Sequence, residues 1–183
     1  NGILYFIIEF PNNYPFSPPK IGYLSSSRHR IHPNLYVGRS HDNHVGKVCL
    51  SSINTWSGPK WTTVMHIGSI LLSIQSLLCN NPLHNEPGFE GEVGERNDLY
   101  NKMVEHDTYN HFIGKNCFEI HPLFISFKPI INNHLIENKD LMREVYLDYG
   151  RSKNSNPMII QLFPPILTLL KYLKNSAVYT YID

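Results

Sequence analysis

The sequence lacks an excess of charge of either sign and any long apolar run. Its 183 residues carry 16 Lys and Arg against 15 Asp and Glu, a formal charge of +1. It therefore has no basic footprint for a nucleic-acid backbone. No apolar run approaches the ~18 residues that a membrane span needs, and no basic segment precedes the apolar start as it would in a signal peptide. We expect neither nucleic acid nor a membrane among its partners.

The sequence also lacks a paired set of cysteines. Cys49, Cys79 and Cys117 are an odd number without Cys-x-x-Cys spacing, so neither a disulfide framework nor a structural zinc site is expected. A reducing compartment, the cytoplasm or the nucleus, is favoured, and no cofactor is expected. A free cysteine is commonly a buried small hydrophobe, which suits Cys79 and Cys117. Cys49 lies in a loop-rich region, so we expect it to be partly exposed.

Strand-like segments come first along the chain and helix-like segments follow, which predicts an α+β fold. The apolar, aromatic and β-branched segment 3–10 is predicted to be a buried strand, and 21–24 is predicted to be a second strand. Apolar residues at three- and four-residue steps predict a helix over 62–79, capped by Thr62 or Thr63. The other predicted helical segments are 97–113, a segment that opens at Pro122 and breaks near Pro129, 135–149 and 165–173.

The chemically distinctive residues lie between positions 14 and 90. The proline-rich Tyr-Pro-Phe-Ser-Pro-Pro at 14–19 precedes His32-Pro33-Asn34, and a Gly-Lys-Val-Cys-Leu segment follows at 46–50. These motifs, in this order and followed by a helix, resemble the ubiquitin-conjugating enzymes. The Asn-Pro-Leu-His-Asn-Glu-Pro-Gly-Phe-Glu segment at 81–90 is most similar to the large Z-type members of that family.

The resemblance implies a UBC-like fold, an antiparallel sheet with following helices, and a cysteine that carries a modifier. Cys49 would accept ubiquitin or a ubiquitin-like modifier from an activating enzyme as a thioester, and would pass it to a lysine amine or a ligase. Attack by the amine places negative charge on the carbonyl oxygen. The amide of Asn34 suits stabilising that charge, or holding the loop that does so. His32 is expected to brace this loop by hydrogen bonding rather than to act as a general base.

The surroundings of this predicted site depart from the pattern of the family. Ser51 and Asn81 stand where relatives often carry acids that orient or deprotonate the incoming lysine. Both are neutral, which removes the effect of a nearby carboxylate on the pKa of that lysine. Either Glu86 or Glu90 replaces these acids, or both simply stabilise a surface loop. The residues predicted to surround the active site are Ser51, Asn54, Trp56, Asn81 and Glu86.

The proline-rich loop and the region around Trp61 correspond to the surface where RING or HECT ligases dock on relatives. Phe16 is either an exposed anchor for such a partner or a core residue, and the sequence leaves both open. Thr63 stands where most relatives have proline. The predicted ligase surface comprises Phe16, Pro18, Trp61 and Thr63.

The segment 36–45 is longer than in most relatives. Its His41, Asp42 and His44 suggest metal ligation, but their spacing fits no standard zinc motif. We expect no metal site there, and an effect of the segment on access to Cys49 instead.

The resemblance also suggests a division of the chain. A conjugating core is expected over 1–118 and a helical extension over 119–183. Because Asn1-Gly2 is a strong hairpin-turn signal with no strand before it, we expect the sequence to begin within a domain, short of its first helix and strands. The alternative is a flexible terminus without meaning. The segment 157–183 either packs on the core, as its apolar stripe favours, or meets a partner.

Two other functions compete with a thioester carrier. One is a conjugating-like domain that binds modifier or partner proteins without transferring anything. The other is a cysteine hydrolase, which needs a base and an orienting group beside the thiol. His32 and Asn34 are too close in sequence to form that pair in the usual way.

Overall fold

The computed structural model describes residues 2–38, 45–142 and 144. The chain forms two compact units. One is Leu4–Asp107, and the other contains the described parts of Asn1–Ile3 and Thr108–Asp183. The expected division between 118 and 119 stays a prediction.

A three-stranded antiparallel sheet forms in the described part of Leu4–Asp107. Its strands are β1 (Tyr5–Glu9), β2 (Lys20–Leu24) and β3 (Val45–Lys47), with β2 in the centre. The strands predicted at 3–10 and 21–24 are confirmed, the first in shorter form. The expectation that the first strand is buried is wrong for most of β1, where only Tyr5 is buried. The reason is that β1 lies at an edge of the described sheet.

The first long helix, α1 (Ile67–Leu77), begins five residues later than the predicted 62–79. The carbonyl oxygen of Thr62 closes a separate turn, so Thr62 is not a helix cap. The N-cap is His66, whose backbone N–H donates to Ser69 Oγ at 3.3 Å. Neither threonine therefore has the predicted capping role.

Only a narrow face of α1 is buried. Of the apolar residues that the periodicity placed on one stripe, Ile70 and Ile74 lie in the core. Val64 precedes the helix and is 86% exposed. A helix on a protein surface buries one face, so apolar residues beside that face stay in contact with solvent. The exposed apolar residues of this segment are Val64, Leu71, Leu72 and Leu78.

A second helix, α2 (Glu95–Asp107), is the last element of the unit Leu4–Asp107 along the chain. The predicted helix over 97–113 is thus present, but only to Asp107. The next residues, Thr108–Ile113, form a π-helical turn that belongs to the other unit.

The described part of the second unit is helical. A 3₁₀ helix at Pro122–Phe127 runs into α3 (Lys128–Glu137). The predicted break near Pro129 is wrong, because Pro129 lies in the first turn of α3, where a missing N–H costs no helical hydrogen bond. Residues 145–149 and 165–173 of the predicted helices lie outside the described residues.

This unit has its own small core. Ile3 is tied to it, since its N–H donates to Phe112 O at 2.8 Å and its carbonyl oxygen accepts from Asn116 Nδ2 at 2.7 Å. No helix within the described residues has the length and apolar character needed to cross a membrane. The buried members of the core are Ile113, Cys117, Ile131, Leu135 and Met142.

Candidate active site

The His32-Pro33-Asn34 turn is built around a buried imidazole. His32 Nδ1 accepts a hydrogen bond from the backbone N–H of Asn34 at 3.0 Å, and its carbonyl oxygen accepts one from Leu35 at 2.9 Å. His32 is 1% exposed, and its Nε2 has no hydrogen-bond partner among the described residues. Burial, with a smaller effect from the charge of Arg30, lowers the pKa of His32 to about 4. The imidazole is therefore neutral near pH 7 and is a weak base.

Two hydrogen bonds join this turn to Cys49. Asn34 Nδ2 donates to the carbonyl oxygen of Cys49 at 2.7 Å, and the Cys49 N–H donates to the carbonyl oxygen of Asn34 at 2.9 Å. Leu35 pairs with Val48 in an isolated bridge beside them. Of the two roles open to Asn34, this geometry favours holding the cysteine segment. The amide carries a second N–H that this bond does not use.

Cys49 is buried, with 2% of the residue exposed. The expectation of a partly exposed thiol is wrong for this structure. The segment does not form an open loop, because it continues from β3 and both backbone polar groups of Cys49 bond to Asn34. Its neighbours Val48 and Leu50 are buried as well.

A 3₁₀ helix, Ser51–Ile53, follows the cysteine and ends at Asn54. Asn54 has a φ of 62°, in the left-handed region that asparagine tolerates better than most residues. Its Oδ1 accepts a hydrogen bond from the backbone N–H of Trp61 at 2.9 Å. Asn54 thus connects the end of the 3₁₀ helix to the backbone at Trp61. Ser51 is half-buried and Trp56 is exposed.

Thr55 fixes the backbone on both sides of Cys49. Its Oγ1 donates to the carbonyl oxygen of Val48 at 2.8 Å and accepts from the N–H of Leu50 at 2.9 Å. The sequence pattern does not single out Thr55. The available signal was its place between two motif residues, Asn54 and Trp56.

Asn81 and Glu86, the two residues after α1 that were expected near the active site, both contact other side chains of the protein. Asn81 Oδ1 accepts hydrogen bonds from Asn97 at 3.1 Å and from Asn101 at 3.0 Å, both on α2. Glu86 Oε2 lies 3.4 Å from Arg30 Nη2, in an ion pair. Glu86 is therefore not a free carboxylate.

Glu90 stabilises its own loop. Its carboxylate accepts the N–H of Gly88 at 3.0 and 3.1 Å. Backbone hydrogen bonds from Glu90 itself and from Gly88 lower the pKa of this carboxyl group, because they favour its charged form. The alternative that this glutamate stabilises a surface loop is the one its contacts support.

The predicted ligase surface is divided by burial. Phe16 is 78% exposed, so the alternative that it packs into the core is wrong. Trp61 is only 8% exposed, and its Nε1 donates to the carbonyl oxygen of Pro15 at 2.7 Å. The indole ring therefore supports the proline-rich loop from within rather than facing a partner. Pro18 is half-buried and Thr63 is exposed.

The other two cysteines differ in their exposure to solvent. Cys117 is buried, as predicted, whereas the prediction for Cys79 is wrong because this residue is exposed beyond the end of α1.

No group of three or more His, Cys, Asp and Glu side chains within the described ranges is placed to hold a metal ion. The segment with His41, Asp42 and His44 lies outside those ranges.

A sequence model described as ubiquitin-conjugating enzyme matches residues 1–108. The sheet followed by helices, and the His-Pro-Asn turn bonded to a cysteine, are the features of this chain that fall within the match. The chain belongs to the ubiquitin-conjugating enzyme family, and the α+β, UBC-like fold predicted from its motifs is confirmed.

Within this family the chain is similar to E2 Z proteins and to other members. It is 40% identical over 111 residues to ubiquitin-conjugating enzyme E2 Z of Homo sapiens, covering 58% of this chain and 29% of that protein. It is 39% identical over 146 residues to probable ubiquitin-conjugating enzyme protein 17 of Caenorhabditis elegans, covering 74% of this chain and 19% of that protein. The chain thus spans less than a third of either relative's length.

Proposed function

We propose that this chain carries ubiquitin, or a ubiquitin-like modifier, as a thioester on Cys49 and transfers it to a lysine amine of a protein substrate or to a ligase. The observation that carries the proposal is the pair of hydrogen bonds between Asn34 and the backbone of Cys49. They join the His-Pro-Asn turn directly to the candidate nucleophile, in a chain that belongs to a family of such carriers.

The proposed chemistry has two steps. In loading, the thiolate sulfur of Cys49 attacks the thioester carbonyl carbon of the activated modifier, a new C–S bond forms, and the sulfur of the activating enzyme leaves with its electron pair. In transfer, a neutral amine attacks the same carbon. A C–N bond forms, the C–S bond breaks with its electron pair returning to Cys49 Sγ, and the proton lost by nitrogen passes to solvent. After the amine attacks and before the C–S bond breaks, the former carbonyl oxygen carries a negative charge. The second N–H of Asn34 is a donor of the kind that stabilises such a charge.

Burial of Cys49 bears on this proposal and on its main competitor. Loading requires contact between Cys49 Sγ and the modifier, so the residues that bury Cys49 must move aside. A domain that binds modifier without forming a thioester needs no such movement, and the 2% exposure of Cys49 favours that second candidate. The hydrolase alternative has less support, because a histidine with a pKa of about 4 is a poor base for activating a thiol.

Charging of the chain by an activating enzyme, ATP and modifier tests the proposal. The unsubstituted chain should give an adduct that a thiol reductant removes, Cys49→Ser a reductant-stable ester, and Cys49→Ala none. Cys79→Ser is the matched control and should charge normally, since Cys79 has no part in the chemistry. An adduct that survives in Cys49→Ala, or binding of modifier by the unsubstituted chain without any adduct across a panel of activating enzymes and modifiers, would refute thioester transfer.

We further propose Phe16 as a contact for a ligase, since its exposure in a proline-rich loop suits an anchoring side chain. Reducing surroundings, in the cytoplasm or nucleus, suit a chain that depends on a free thiol.

A further inference from the structure

The Arg30 side chain contacts two other parts of the unit Leu4–Asp107, the segment 33–36 just after it and Glu86 far along the chain. Its Nη2 donates a hydrogen bond to the carbonyl oxygen of Pro33 and pairs with Glu86 Oε2 at 3.4 Å. The guanidinium carbon lies 3.9 Å from the centre of the Tyr36 ring, close enough for a cation–π contact. The backbone is held too, because the Tyr100 hydroxyl on α2 donates to the carbonyl oxygen of Arg30 at 2.6 Å.

The Tyr100 contact is insensitive to pH in the usable range. Burial is the main cause that raises the pKa of Tyr100 to about 12, so its hydroxyl keeps the proton that it donates. Arg30 is thus anchored to α2 through its backbone, and to the segment 33–36 and Glu86 through its side chain.

The segment 33–36 is hydrogen-bonded at two points, to Cys49 itself and to β3. Pro33 precedes Asn34, whose amide and carbonyl groups bond to Cys49. The N–H of Tyr36 donates to the carbonyl oxygen of Lys47 on β3 at 3.0 Å. Movement of the guanidinium would therefore reach the cysteine segment through two separate sets of hydrogen bonds.

The segment containing Tyr36 packs tightly on β3. A Cβ atom at Gly46 would lie 1.6 Å from the carbonyl oxygen of Tyr36, so only glycine permits this approach. The close fit makes the segment a rigid link between Arg30 and the strand.

We propose that Arg30 is a positioning residue for transfer from Cys49, and that Glu86 is its ion-pair partner rather than the carboxylate that lowers the pKa of the incoming lysine. The inference rests on the proposed function. The side chains of Arg30 and Glu86 are 34% and 35% exposed, so the pair adds little to stability. The planar guanidinium instead fixes directions, since it can bond to a carbonyl oxygen and a carboxylate while stacking on a ring. Small displacements of reacting groups reduce rates strongly.

The test measures the single-turnover discharge of the Cys49 thioester to free lysine, against lysine concentration and against pH. Arg30→Ala should lower the maximal rate by about 10-fold to 100-fold, with less than about a threefold change in the lysine concentration that gives half of it. Arg30→Lys should restore little, because an ammonium group lacks the planar set of donors.

Two further variants separate positioning from acid–base chemistry. Glu86→Gln keeps an oxygen that accepts from the guanidinium, so it should lose less than about threefold in rate and leave the midpoint of the pH–rate profile unchanged. Arg28→Ala, at an exposed arginine two residues away, is the matched control and should discharge as the unsubstituted chain does.

Three outcomes would overturn the inference. Discharge at the original rate from Arg30→Ala is the first. The second is an upward shift of the pH midpoint in Glu86→Gln, which would make Glu86 the acid–base group. If Arg30→Ala does not fold, Arg30→Lys decides in its place, and the original rate in that variant is the third. An unsubstituted chain that never forms an adduct refutes the proposed function and the inference together, whereas normal adducts with undiminished discharge refute the inference alone.

Discussion

Replacement of His32 by asparagine should remove a pH dependence of folding stability. Burial is the main cause that lowers the pKa of His32 from 6.5 to about 4 in the folded chain. Between these values the unfolded chain binds a proton that the folded chain does not, so the free energy of unfolding falls as the pH decreases. The stabilisation is complete above about pH 6.5 and is lost by about pH 4. The difference between the two pKa values corresponds to roughly 3 kcal/mol.

Asparagine suits this experiment because its Oδ1 can accept the N–H of Asn34 in place of Nδ1, while its side chain does not titrate. Urea unfolding of both proteins between pH 4 and pH 7.5 gives the free energies to compare. Every other titrating group is common to the two, so the difference between the curves isolates His32. That difference should change by roughly 3 kcal/mol across the range. Parallel curves, or an NMR titration of His32 with a midpoint near 6.5, would refute the reasoning.

The remaining predictions concern packing and thiol access. Ile70→Ala should lower the free energy of unfolding by about 2–5 kcal/mol, since Ile70 is fully buried on α1, whereas Leu72→Ala on the exposed face should cost less than about 1 kcal/mol. Equal losses in urea unfolding would contradict the buried face. Iodoacetamide should modify Cys79 in the folded chain but Cys117 only after unfolding, because burial raises the pKa of the Cys117 thiol to about 12 and the thiolate is the reacting form. Modification of Cys117 in the folded chain, detected by peptide mass spectrometry, would contradict its burial.

The strands and helices were predictable to the extent that local patterns define them. The strand at β2 was predicted to within one residue, and the apolar periodicity of the predicted 62–79 located α1 and its end to within two residues. The start of α1 was not, because the Thr62 carbonyl closes a turn that periodicity does not report. The break expected near Pro129 failed for a related reason: proline ends a helix or opens one, depending on where the first turn falls.

The candidate site was predictable as a set of residues but not as an environment. Cys49, Asn34 and His32 were identified from motifs, and the structure bonds Asn34 to both of the others. Their roles as catalytic groups remain predictions. The exposure expected for Cys49 and the burial expected for Cys79 were both wrong, since exposure depends on what packs against a residue and not on its neighbours in sequence.

The sequence by itself determined the family, the α+β class and the position of the candidate nucleophile, because motifs and hydrophobic periods are properties of short segments. Only the tertiary structure decided that Trp61 supports the proline-rich loop, and that Arg30 contacts both the Tyr36 ring and Glu86. Trp61 and Pro15 are far apart along the chain, as are Arg30 and Glu86. Contacts of this kind form when the whole unit buries its core, and no local pattern in the chain encodes them.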